Sequence, residues 1–224
     1  MLKLISLELR KVKITGYIRN AFIAMLAIAG FITLMYFDHT IKDYKDGFTA
    51  IETFVQVTFT IFAAVLISRL VIEEYRSKTI STLFMYPINR KKLIVAKLLI
   101  VILFTFIAIV LSDILIAIFL YFVDSKYHNI SGELTLNLIL KELFKLAIAA
   151  FSAAGLSLIS LFFGMKKKST SATIVTAVIL VSITSSNSNG FSLNSIIAIP
   201  LSLACLGLLI AYLSFRNIEK VDVE

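Results

Sequence analysis

Along the chain, long runs of apolar residues alternate with short stretches where charges and hydrogen-bonding side chains gather, and the runs fall at about residues 21–37, 54–72, 93–123, 146–165, 173–186 and 196–215. A helix of about 20 apolar residues crosses the hydrocarbon core of a bilayer. The pattern therefore predicts six transmembrane helices. Backbone amides find no water inside lipid, so a helix satisfies them where an open strand would not. The fold class expected is all-α, a single polytopic membrane domain covering residues 1–224. The third run is the longest. As helix its residues would extend about 45 Å, more than a membrane requires, so it must tilt, kink or project.

The polar intervals carry their own patterns. In residues 1–19, Leu2, Ile5, Leu9 and Val12 recur at helical spacing with Lys3, Glu8 and Lys11 between them, which predicts an amphipathic helix lying in the membrane interface. This start reads as retained structure rather than a cleaved signal. DHTIKDYKDGFTAIE, with Gly47 and mixed charges, reads as a loop between spans one and two. Leu134, Leu138 and Lys141 suggest a further amphipathic helix on the outer surface, before span four. Lys166, Lys167 and Lys168 lead into span five, and SNSNGFSLN returns the chain tightly to span six, where Pro200 is expected to stop or kink the helix.

Composition agrees with lipid as the main solvent: 59% of residues are hydrophobic, 16% are charged and the mean hydropathy is +0.94. The formal charge of +8 does not point to nucleic acid, because the basic residues flank the apolar runs, where lipid head groups account for them. Seventeen of the 22 Lys and Arg residues lie on one side of the predicted topology. Positive charge is retained in the cytoplasm, so both termini are expected there. The single Cys205 excludes a disulfide within the chain and reads as a packing residue.

The most specific stretch is IEEYRSKTISTLFMYPINRKKLIVAKLL, between spans two and three. Ile80, Leu83 and Phe84 between charged ends form a natural helix-in-groove ligand. A basic loop beside a membrane would explain Arg90, Lys91 and Lys92, but not the acidic pair. The order of features resembles ABC type-2 permeases, in which an acidic pair, a Lys/Arg-Ser/Gly-Thr step, a proline and a basic cluster precede a lysine that opens span three. Glu73, Glu74, Ser77, Lys78, Thr79, Pro87, Arg90 and Lys97 hold the matching places, with Arg76 among them.

That resemblance implies a coupling helix docking on a cytoplasmic ATP-binding cassette subunit, a second permease copy or paralogue completing a dimer, and the plasma membrane of a bacterial cell. This polypeptide has no GxxxxGK[ST] loop. ATP and Mg are accordingly expected on the partner, with no cofactor and no catalytic residue in this chain. Family members of this size suggest cargo such as amphipathic or antimicrobial peptides, suited to an apolar cavity without fixed charges.

Within the spans, Asp113 is the exposed question, since a carboxylate in lipid costs at least about 2.5 kcal/mol. Roughly 1.5 Å per residue sets it about 24 Å from Lys97, near the outer head groups. Alternatively it belongs to a translocation path with Thr173, Thr176 and Thr184, hydroxyls that otherwise serve helix packing. Small residues in span four, Ala149, Ser152, Ala153, Gly155 and Ser157, also predict close packing. His128 stands alone and makes no metal site. The rival class is a non-transporting membrane immunity or assembly protein, which needs no coupling helix. An intramembrane enzyme would need a second ionisable group at depth beside Asp113.

Overall fold

The computed structural model describes residues 14–76, 90–130, 135–185, 187–188, 191–192 and 198–216. Helix α1 covers Ile14–Phe37 and α2 covers Tyr44–Ile67. The latter continues through a π-helical turn, Ser68–Ile72, into a last α-helical turn, Glu73–Arg76. Helices α3, Arg90–Tyr127, and α4, Leu136–Lys167, are the longest. Helix α5 spans Thr170–Ser185 and α6 spans Ala198–Arg216. Between them a minimal antiparallel pair, β1 (Asn187–Ser188) and β2 (Phe191–Ser192), sets Asn187 opposite Ser192. Among the described residues the architecture is all-α apart from that strand pair. Thr15–Phe37, Tyr44–Ile72, Lys92–Tyr127 and Leu136–Lys167 are long and apolar enough to cross a membrane, while α5 and α6 are shorter apolar helices.

Helices α2 and α4 begin about ten residues before their apolar runs. Helix α2 already starts at Tyr44, inside the stretch read as a loop. Asp43 takes an extended N-cap conformation, its carbonyl accepts the Gly47 N–H at 3.1 Å, and Asp46 places negative charge in the first turn. Gly47 is a packing residue here: a Cβ on it would sit 3.0 Å from Leu120 of α3. Helix α4 likewise begins at Leu136, so the amphipathic segment around Leu138 and Lys141 is continuous with the apolar run that follows. No proline or glycine between Leu136 and Leu146 interrupts it.

The bundle holds two apolar clusters, one toward each end. The first joins Ile32 and Tyr36 of α1, Val55 and Phe59 of α2, and Ile109 and Ile116 of α3. The second joins Ile67, Val71 and Ile72 of α2 to Ile94, Leu98 and Val101 of α3, with Leu158 and Leu161 of α4. Helix α3, 38 residues long, is shared by both and would measure about 57 Å at 1.5 Å per residue.

Helices α4 and α6 make the most extensive contact between helices. It rests on the small residues of α4. A Cβ on Gly155 would lie 2.8 Å from the Cβ of Ala204, and one on Gly207 would collide with the Gly155 carbonyl. Backbones therefore approach as closely as small residues allow, the packing mode that lipid favours. Lys168 closes α4 in the left-handed region, φ 46°, and the Ser169 N–H returns to the Gly164 carbonyl at 3.2 Å. This sharp stop leads directly into α5. Pro200 sits in the first turn of α6, where its missing N–H breaks no helical bond. Cys205, read from the sequence as a packing residue, is exposed on α6 in the single chain.

Candidate functional site

Where α2 and α3 flank the segment 77–89, a lysine links them. Lys97 is 2% exposed, donates to the Leu70 carbonyl at 3.0 Å and forms an ion pair with Glu74. Leu70 lies inside the π-helical turn. Such turns loosen the regular i→i−4 ladder, and here a carbonyl in that turn receives a side chain from the next helix. The last turns of α2 and the start of α3 are thereby fastened by charge as well as by apolar packing.

A second knot closes the opposite end of the bundle. Asp124 of α3 accepts hydrogen bonds from Tyr36 of α1 at 2.9 Å, from Tyr44 of α2 at 2.5 Å and from the Ile130 backbone at 3.1 Å. The Asn129 N–H donates in turn to the Tyr36 hydroxyl at 3.2 Å. One carboxylate thus gathers three helices and the turn after α3, including the left-handed His128, φ 53°. His128 has a backbone role in this turn: its N–H donates to the Asp124 carbonyl at 2.7 Å.

Between these knots lies a cavity of about 660 Å³ among α2, α3 and α4. Ile51, Ile114 and Leu146 supply apolar wall, while Asp113, Glu52 and Glu142 bring carboxylates. Asp113 is 3% exposed, and neither of its oxygens has a hydrogen-bond partner. Glu52 is held by Lys145 at 2.7 Å. The expectation of an apolar cavity without fixed charges is corrected by this lining. Asp113, placed near the outer head groups by its distance from Lys97, faces a pocket made of protein. Its acidic neighbours come from helices far away in sequence. Among the described residues, no group of three His, Cys, Asp or Glu is placed to hold a metal.

Of the residues singled out for coupling, Glu73 and Arg76 are exposed on the last turn of α2, Glu74 is engaged by Lys97, and Arg90 opens α3. Ser77, Lys78, Thr79, Ile80, Leu83, Phe84 and Pro87 lie outside the described residues, as do residues 1–13 of the predicted interfacial helix. Thr173, Thr176 and Thr184 bond to carbonyls of their own helix or its cap, Ser169 at 3.2 Å, Ala172 at 2.6 Å and Leu180 at 3.1 Å respectively. None of the three lines the Asp113 cavity. Sequence reasoning missed Glu52, Glu142, Lys145 and Asp124. The Glu142–Lys145 spacing on an amphipathic helix was a usable signal, since residues three apart share a face; Asp124 offered none.

The chain matches the family described as "ABC-2 family transporter protein" over residues 4–184. It is 46% identical to YcbO, an uncharacterized protein of Bacillus subtilis, across 99% of this chain and 100% of that protein. No solved structure matches.

Proposed function

This chain belongs to the ABC-2 family of transporter membrane proteins, and from that premise we propose that it is the permease subunit of an ATP-driven exporter. A separate cytoplasmic ATP-binding cassette subunit carries ATP and Mg, and this chain carries the path through the membrane. All six apolar helices cross the bilayer in this reading, with both termini and the Lys97 end of the bundle in the cytoplasm, as the distribution of basic residues favours. Two permease copies, identical or paralogous, complete the transporter. Its cargo is amphipathic, with antimicrobial peptides and other hydrophobic molecules as the leading class.

The observation that carries the mechanism is the Lys97–Glu74 bridge. Segment 77–89 joins α2 to α3 and holds Ile80, Leu83 and Phe84, the apolar anchors for a groove on the ATPase. Force applied there reaches both helices at once, because the bridge and the Leu70 bond make their ends one unit. Both helices also wall the Asp113 cavity. ATP-driven closure of the partner can therefore change the shape of a binding space in the membrane through α2 and α3. The cavity carboxylates act as binding groups in this scheme; Glu52 is engaged by Lys145 and is not poised as a catalytic partner for Asp113.

The test is co-expression with the ATP-binding subunit, purification of the complex and measurement of cargo-stimulated ATP hydrolysis, with Glu73→Ala as the comparison because Glu73 is exposed and uninvolved in the Lys97 ion pair. The expected result is an intact complex whose stimulation is lost in the variant. If no ATP-binding subunit associates with the intact chain, the exporter reading gives way to a non-transporting immunity or assembly protein.

A further inference from the structure

We infer that the cavity among α2, α3 and α4 is a binding site for an amphipathic organic cation, with Asp113 as the carboxylate that receives the ligand's ammonium or guanidinium group. Four observations converge. The volume, about 660 Å³, falls in the roughly 300–1,000 Å³ range of small-molecule pockets, which are mostly apolar with a few placed polar groups. Asp113 lines it, is almost entirely buried and has both oxygens unpartnered. A buried polar group of that kind is costly unless a partner is supplied. The lining brings three carboxylates, Asp113, Glu52 and Glu142, and no Lys or Arg among its described residues; the neighbouring Lys145 is already bonded to Glu52. The formal excess is negative, so the missing partner is a cation.

The geometry also says what the rest of the ligand must be. Ile51, Ile114 and Leu146 flank the carboxylates and can enclose only an apolar body. Ile118 and Leu143 are 47% and 43% exposed at the edge of the space, so an occupant can enter from the lipid-facing side between α3 and α4. A hydrated inorganic cation would leave those walls unpaired, and a neutral lipid tail would leave Asp113 as it stands. An amine or guanidine on an apolar scaffold satisfies both. As an account of cargo this rests on the permease reading; as an account of binding it does not, since all groups come from one chain.

The experiment measures binding of dansylcadaverine, an apolar fluorophore bearing a primary amine, to the purified full chain in zwitterionic lipid nanodiscs without the ATPase subunit. Its N-acetylated derivative is the neutral control. Saturable binding of the amine is expected, weakened about tenfold or more by acetylation and by Asp113→Asn, the scale of a charge-assisted bond. Lys145→Gln is expected to tighten binding, because it releases Glu52 from its competing cation. Ala117→Phe fills the cavity while leaving all three carboxylates in the sequence and is expected to weaken binding, which keeps a readout if Asp113→Asn does not fold. Equal affinity for the amine and its acetylated form, indifference to both Asp113→Asn and Ala117→Phe, or no saturable binding would each overturn the inference. None of these would remove the ATPase coupling, and failure of coupling would leave the binding intact.

Discussion

Glu74→Ala offers the sharpest structural prediction, because its counterpart Lys97→Met should behave differently. Lys97 is 2% exposed and Glu74 16% exposed, so the two ends of the pair stand in unequal surroundings. Breaking a buried pair by removing one partner costs about 3–5 kcal/mol, mostly from the charge left behind. Removing Glu74 leaves the deeper charge with the Leu70 carbonyl still bonded to it, so the cost falls below that range, at about 2–3 kcal/mol. Removing the ammonium instead leaves a carboxylate that has some access to water, at about 1–2 kcal/mol. For a chain of this length each kcal/mol moves Tm by about 2–4 °C. Glu74→Ala should lower the midpoint by about 4–12 °C and Lys97→Met by about half as much. Thermal unfolding followed by loss of the monodisperse peak in detergent reads both. The double variant Glu74→Leu, Lys97→Met should recover most of the loss, since apolar replacement of both partners is often near neutral. Equal losses, a reversed order or no recovery in the double variant would refute the bridge as the tie between α2 and α3.

Asp124→Ala removes the acceptor of two tyrosine hydroxyls and a backbone N–H, and at about 1.5–3 kcal/mol for a bond to a charged group should destabilise by more than about 3 kcal/mol, with Tyr44→Phe near the single-bond value in the same unfolding assay. Gly207→Ala drives a methyl group into the Gly155 carbonyl and should cost about 1–3 kcal/mol, read as earlier unfolding and faster proteolysis between α4 and α6. By contrast Lys145→Gln breaks a partly exposed pair and should shift stability by less than about 1 kcal/mol.

The helices were legible because continuous apolar runs leave the backbone no alternative in lipid. Their ends were less so. The start of α2 hid among charges that read as a loop, and Gly47 looked like a turn residue until Leu120 was seen to need the space beside it. The start of α4 was visible as an amphipathic helix, but its fusion to span four depends only on the lack of a breaker. The candidate site was legible in single residues and hidden in its pairings. Asp113 announced itself as an acid in an apolar run, yet Glu52 and Glu142 reach its cavity only through the packing of three helices. Lys97 and Glu74 both stood in the recognisable stretch, but their contact requires α2 and α3 to run side by side across the turn of chain between them. Asp124, Tyr36 and Tyr44 carry no common spacing at all.

Site-directed photo-crosslinking tests the central claim most directly. A photoreactive amino acid replaces Phe84 in the segment between α2 and α3, or Phe122, exposed near the far end of α3, and membranes containing the ATP-binding subunit are irradiated with and without ATP. The account predicts a crosslink to the ATPase from position 84, altered by ATP, and none from position 122. A crosslink from position 122, or none from position 84 in membranes where the two subunits co-purify, would contradict it.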